Sequence, residues 1–330
     1  MMPRSARSDH ALNPGPEPGG RARARPAEGS VEAMTADAFA TASGLVERTA
    51  AAFVSGVPDD PADDGFFGPG SVTWRLGRDL AGTVAGLRAL LMQSLHPLAM
   101  AGVDEHSGWR EDPVGRLAAT GAYVTIVTYG ERAAAERAAA RVRRIHTHVR
   151  GTDPVTGQPY AADDPALLLW VHAALVDAGL ATAALLGTPL SPADADRYVA
   201  EMVAAAVLVG IPEPMAPDSV AALDAYLTSV RPVLQASPAA RESMAYLLDP
   251  PGLDEDIAEI WQDIRDAAVL ALPAWARELH GFADPPPITP ERRTEIRQAL
   301  GVLDAVQLGE PGVLEARQRI TLRMRSAVRS

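Results

Sequence analysis

The chain has 330 residues, no cysteine and a formal charge of −12. The missing thiols exclude disulfides, zinc ribbons, iron–sulfur clusters and a thiol nucleophile, which leaves His, Asp and Glu as the strong metal ligands. Every Lys/Arg position is arginine, so a P-loop lysine and Schiff-base chemistry are excluded, and the acidic balance offers no net positive field to nucleic acid.

Residues 1–31 are rich in Pro, Gly, Arg and Ser and hold no apolar run, which predicts a disordered arm. The opening segment also lacks the apolar core of a secretory signal, so the expected location is cytoplasmic. No linker-like change of composition interrupts 32–320, which predicts one domain, and 321–330 reads as a basic amphipathic tail with a solvated face. Asp112-Pro113 predicts a helix start, with Gly130 as its left-handed C-terminal glycine. An alanine-rich helix is predicted over 131–149, ended by Gly151. Asp164-Pro165, Ser191-Pro192, Ser237-Pro238 and Thr289-Pro290 mark later starts. Only TIVTY at 125–129 is β-branched enough to compete as a strand. The predicted fold class is all-α, a single multi-helix orthogonal bundle.

Two apolar stretches, 87–103 and 165–187, approach the length of a membrane span. His96-Pro97 breaks the first, and His172 and Asp177 interrupt the second. Ionisable groups cost too much in lipid, so buried central helices are predicted and no integral membrane span.

Five of the seven histidines fall between 96 and 172. In 131–149 an apolar stripe runs through Ala135, Ala138 or Ala139, Val142, His146 and Val149 at steps of three and four, which turns His146 inward. His148 lies about 200° round that helix and faces Arg137, Arg141 and Arg144 on the outside. His172 shares a face with Leu168, Leu175 and Val176 and is likewise predicted buried. Two inward imidazoles on consecutive helices each need a partner, which a carbonyl, a metal or a polar substrate provides. Arg116 and Thr120 are one turn apart on a stripe that continues through Tyr123 and Val127. The bland account of Arg116 is an ion pair with Asp104, Glu105, Glu111 or Asp112; the functional one is a fixed cation lining a pocket. The sequence contains no GxSxG, HExxH, Walker A or Rossmann glycine pattern. No Glu-x-x-His pair suits a di-iron bundle, since Arg143 and Leu169 stand three residues before His146 and His172.

Three segments carry a family resemblance: GPGSVTWR (68–75), ALLMQSLHPLAMAGVDEHSGWREDPVGRLAAT (89–120) and VRRIHTHVRGTDPVTGQPYAADDPALLLWVHAALVDAG (142–179). Over roughly 65–230 the sequence resembles the fungal mpaB-type oxygenases and the bacterial latex-clearing rubber oxygenases. The resemblance implies an all-α protein with haem b, and its iron, in a pocket between helices. It implies His146 as the proximal iron ligand and Arg116 and Thr120 as pocket residues near the haem. His172 and His96 are candidates for a second axial ligand, a propionate contact or support. Rubber oxygenases carry a lysine before the threonine; here that position is Ala119, so the distal side is open or held by water or another histidine. Glu105 is the nearest candidate for the family's base. The implied activity is haem-dependent oxidation by dioxygen, with cleavage of a C=C bond, of a small apolar or isoprenoid-like substrate, with an unidentified electron donor. Two alternatives stand beside it, a haem-binding sensor or carrier without turnover and a cofactor-free helical ligand-binding protein.

Overall fold

Prolines at the first helical position, each behind a short polar side chain, set several of the helix starts. Asp112, Ser191, Ser237 and Thr289 accept the backbone N–H of Gly115, Asp194, Ala240 and Arg292, so each satisfies an amide that the helix cannot. The computed structural model describes residues 47–186, 189–250, 253, 255–283 and 285–329; the arm expected at 1–31 lies outside them. In chain order the helices are α1 (47–56), α2 (Val72–Gly77), α3 (Gly82–Gln93), α4 (Pro97–His106), α5 (Pro113–Tyr129) and α6 (Arg132–His146). After the strands β1 (Arg150–Thr152) and β2 (Pro159–Ala161) come α7 (Pro165–Leu186), α8 (Pro192–Val209), α9 (Val220–Val230) and α10 (Pro238–Leu248). The chain closes with α11 (Glu255–Ala271), α12 (Ala274–His280), α13 (Pro290–Leu308) and α14 (Val313–Arg329). The fold is all-α but for this one antiparallel pair among the described residues, in register Gly151 to Tyr160.

The core forms around α3 and α7. Trp170, Ala173 and Ala174 on α7 and Leu91 and Met92 on α3 are fully buried with Ile264 of α11 and Ile296 of α13. The Trp170 indole donates to the Gln93 carbonyl and the Gln93 amide returns a bond to the Val171 carbonyl, which fixes the register of the two helices. α7 is long and apolar enough to cross a membrane, yet 61% of its most apolar window is buried against protein. On α8, Glu201 accepts the amides of Val72 and Thr73 and the Thr73 hydroxyl, capping α2 across the interface.

TIVTY continues α5 to the end expected of the helix that opens at Asp112, because Val127 and Tyr129 bury against neighbouring helices and packing outweighs β propensity. Two local expectations are corrected. Gly130 is extended, φ −73°, rather than left-handed; a Cβ there would strike the Ile126 carbonyl. α6 ends at His146, three residues early, because the chain turns into β1. The β1–β2 hairpin was not expected; its signal is the Asp153-Pro154-Val155-Thr156-Gly157 turn, where Asp153 accepts the Val155 and Thr156 amides and Gly157 has φ +69°. At the other boundary, α14 runs through 320/321 without a break and Met324 packs on the Trp74 cluster.

Gly65, at φ +73°, lies against the Gly130 carbonyl, so a side chain there meets both backbone strain and a collision. Gly65→Ala is expected to lower unfolding stability by more than about 1 kcal/mol in a urea titration, whereas Gly86→Ala, with open space around it, is expected to be neutral or mildly stabilising.

Candidate active site

α5 and α6 are held together at one end by Val127, Ala135, Ala139 and Leu208. Ala135 and Ala139 are fully buried, but further along α6 the stripe loosens: Val142 and His146 are half-buried and Ile145 is exposed. His146 occupies the last position of the helix. Its Nδ1 is shielded from solvent and has no hydrogen-bond partner. Burial holds its pKa below the ordinary histidine value, partly opposed by the Asp163 carboxylate, which is itself paired with Arg150 at 2.6 Å. One turn earlier, the Arg143 guanidinium donates to the Leu208 carbonyl and pins this end of α6 to α8. His148 is exposed.

His172 is buried on the same face of α7 as Leu168 and Val176. Burial alone pushes its pKa down to about 4, with no carboxylate opposing the shift. The ring is therefore neutral at physiological pH, the form that ligates metals. His96 precedes Pro97 at the start of α4, is buried, and leaves Nδ1 without a partner. Its ring centroid lies 6.2 Å from that of Trp170. Desolvation also lowers its pKa, against weaker opposition from Asp164 and Asp153.

Arg116 is half-buried and, among the described residues, makes no ion pair or hydrogen bond through its side chain. The ion-pair account of this residue is thereby overturned: Asp112 is taken by Arg48 at 2.8 Å, Asp104 by Arg110 at 2.7 Å and Glu105 by the Tyr160 hydroxyl at 2.5 Å. Burial lowers the Arg116 pKa with no compensating charge, so the guanidinium lacks an anion. Thr120 is exposed and its hydroxyl donates to the Arg116 carbonyl at 3.0 Å, the bond internal to a helix that threonine commonly makes. Glu105 is committed to the hairpin through Tyr160, with Gly151 beneath both, and does not serve as a free base in this arrangement. Tyr123, between Thr120 and Val127 on the same stripe, was not singled out from the sequence. Its hydroxyl is buried without a partner, and its pKa is pushed up to about 12 by burial.

Among the described residues no bond between side chains joins Arg116, Thr120, His146, His172 and His96 to one another, the Thr120 hydroxyl on the Arg116 carbonyl being a contact within α5, and no cluster of three or more His, Asp or Glu could hold a metal ion. Two cavities, of about 530 and 370 Å³, are lined by other residues. Four of the five positions, three imidazoles and one guanidinium, have lost solvent without an internal partner, whereas Thr120 is exposed and bonded within its own helix.

The sequence model of the family described as ER-bound oxygenase mpaB/B′/rubber oxygenase, catalytic domain, matches residues 74–305. The chain belongs to this family. A solved structure of the latex clearing protein in its closed state is similar at 18% identity and a TM-score of 0.49, covering 82% of this chain and 76% of that one. No curated protein sequence matches the chain. The matched segment contains α3 to α12 and most of α13, so His96, Arg116, His146 and His172 all fall within it, while α14 and the helix at 47–56 lie outside it.

Proposed function

We propose that this chain is a haem b-dependent oxygenase that oxidises a small apolar, isoprenoid-like molecule with dioxygen, cleaving a C=C bond. The carrying observation is His146, a half-buried imidazole at the loosened end of the α6 stripe with a shielded, unpartnered Nδ1. That leaves Nε2 as the nitrogen available to iron. The residues fit the group chemically: one neutral imidazole for the iron, and a desolvated arginine without a counter-ion for a propionate. When bound, haem supplies an iron site at which dioxygen is activated.

The chain's own residues have distinct tasks in this scheme. Arg116 binds and orients an anionic group, which lowers the cost of its own burial. His172 and His96 stay neutral and serve as support or second ligands. The apolar side chains Val124 and Ile145, 38% and 51% exposed, offer an apolar molecule contact and exclude water once covered. Splitting a double bond with one dioxygen into two carbonyl groups balances in atoms and electrons. An electron donor is then needed only to set the starting redox state.

A second reading, a haem carrier without turnover, is favoured by one feature: Ala119 and the self-bonded Thr120 leave little polar machinery on α5 beyond Arg116. Absorption spectra of full-length protein produced with a haem supply separate the readings. The wild type is expected to show a Soret band, His146→Ala to lose most of it, and His172→Ala to keep it. Retention in His146→Ala with loss in His172→Ala would move the ligand to α7. No band in the wild type after haem addition would overturn the haem assignment. A band with no dioxygen consumption on unsaturated lipids would favour the carrier.

A further inference from the structure

On the side of α7 opposite His172, a cavity of about 370 Å³ lies between α3, α7, α9 and α12. Arg88 forms part of its wall and is 2% exposed. Its Nη2 donates to Asp177 at 2.6 Å and its Nε to the Ala271 carbonyl at 2.8 Å, while Nη1 is buried with no acceptor. A guanidinium presents donors on all three nitrogens, and an unmet buried donor of a charged group is costly. Nη1 is sealed within the protein, so Arg88 closes the inner wall and is spent on Asp177 and Ala271. A second guanidinium, Arg231, lies on the rim over the Trp275 ring at 5.0 Å. Among the described residues it makes no ion pair and no side-chain hydrogen bond. Met92, Leu227 and Trp275 supply the apolar part of the lining.

The Asp177 charge is consumed by Arg88, so the uncompensated cation of the cavity is Arg231. Asp224, also without a partner, stands on the same face of α9 seven residues earlier, about 10 Å along the axis. It sets a negative charge at the far end of the lining. We propose that this cavity binds a small monocarboxylate with an apolar body: the carboxylate meets Arg231 on the rim, and the body lies on Trp275 and Leu227. Asp224 repels a second negative charge, which selects against dicarboxylates. The site is separate from the haem assignment and stands whether or not haem binds.

Titration calorimetry of the full-length protein with hexanoate as probe tests it, beside 1-hexanol and adipate. Hexanoate is expected to bind saturably and at least about tenfold more tightly than hexanol or adipate, the scale of one charge-assisted contact. Arg231 and Asp224 are exposed, so their variants are expected to fold, which a thermal melt verifies. Arg231→Ala is expected to weaken hexanoate about tenfold. Asp224→Asn is expected to leave hexanoate as tight or tighter and to raise adipate affinity several-fold. Hexanoate binding that is not saturable, equals that of hexanol, or is unchanged in Arg231→Ala would overturn the proposal.

Discussion

Arg88→Met is expected to destabilise the fold by about 3–5 kcal/mol, and Arg88→Met with Asp177→Leu to recover most of that loss. The Arg88 side chain is 3% exposed and that of Asp177 19%, with 2.6 Å between their charged atoms. In the single variant a carboxylate stays in the low-dielectric seam between α3 and α7 with its partner gone, and the Ala271 carbonyl loses its donor. Desolvating a lone charge costs several kcal/mol, while the intact pair roughly breaks even with apolar residues of similar volume. The double variant removes both charges, so its residual deficit comes from packing and from the Ala271 carbonyl. Urea unfolding of wild type, both single variants and the double variant provides a double-mutant cycle. A double variant as unstable as the sum of the singles would show that the two side chains act independently.

This pair marks the boundary of what the amino-acid sequence discloses. Asp177 was visible as the one carboxylate inside the long apolar segment of α7, and it argued against a membrane span. Its partner lies 89 residues away on a helix whose own pattern is uniformly apolar around it, so nothing local identified it. Helix starts were legible because a capping side chain and a proline act over three or four residues. The hairpin was not, since three-residue strands are too short to display alternation.

The candidate site divides the same way. Periodicity correctly turned His172 into the core and set His146 on the buried stripe of α6, because a helix face follows from spacing alone. Spacing does not report how far a neighbouring helix extends. Thr120 sits on the stripe that ends in buried Val127, yet it is exposed, as the packing of α6 and α8 covers only the later turns of α5. Equally, four carboxylates near Arg116 in sequence suggested an ion pair, but Arg48, Arg110 and Tyr160 engage three of them. The competition was settled by residues outside the segment.

Stability is expected to fall by about 3 kcal/mol between pH 6.5 and pH 4 on account of His172 alone, and His172→Leu to flatten that part of the profile. The folded ring has its pKa pushed down to about 4 by burial, whereas the unfolded chain protonates near the ordinary value of about 6.5. Above 6.5 neither state takes the proton and the full stability is present. Below it the unfolded state binds a proton that the native state refuses, so stability drops until the native pKa is passed, with a limiting slope of about 1.4 kcal/mol per pH unit. His96, His146 and His280 are displaced in the same direction by burial, so the wild-type decline is steeper than one residue supplies and does not vanish in the variant. Asp63, Asp112, Asp194 and Glu242, held below their usual range by amides or arginines, contribute stability that is lost only at still lower pH. The histidine contribution is therefore separable. Urea midpoints at pH 7.5, 6, 5 and 4 measure it, and the test compares slopes rather than absolute stabilities because leucine leaves a packing defect of its own. Parallel wild-type and His172→Leu profiles over that range would mean that His172 gains its proton in the folded state as readily as in the unfolded one, which would place the ring in contact with water or an acceptor.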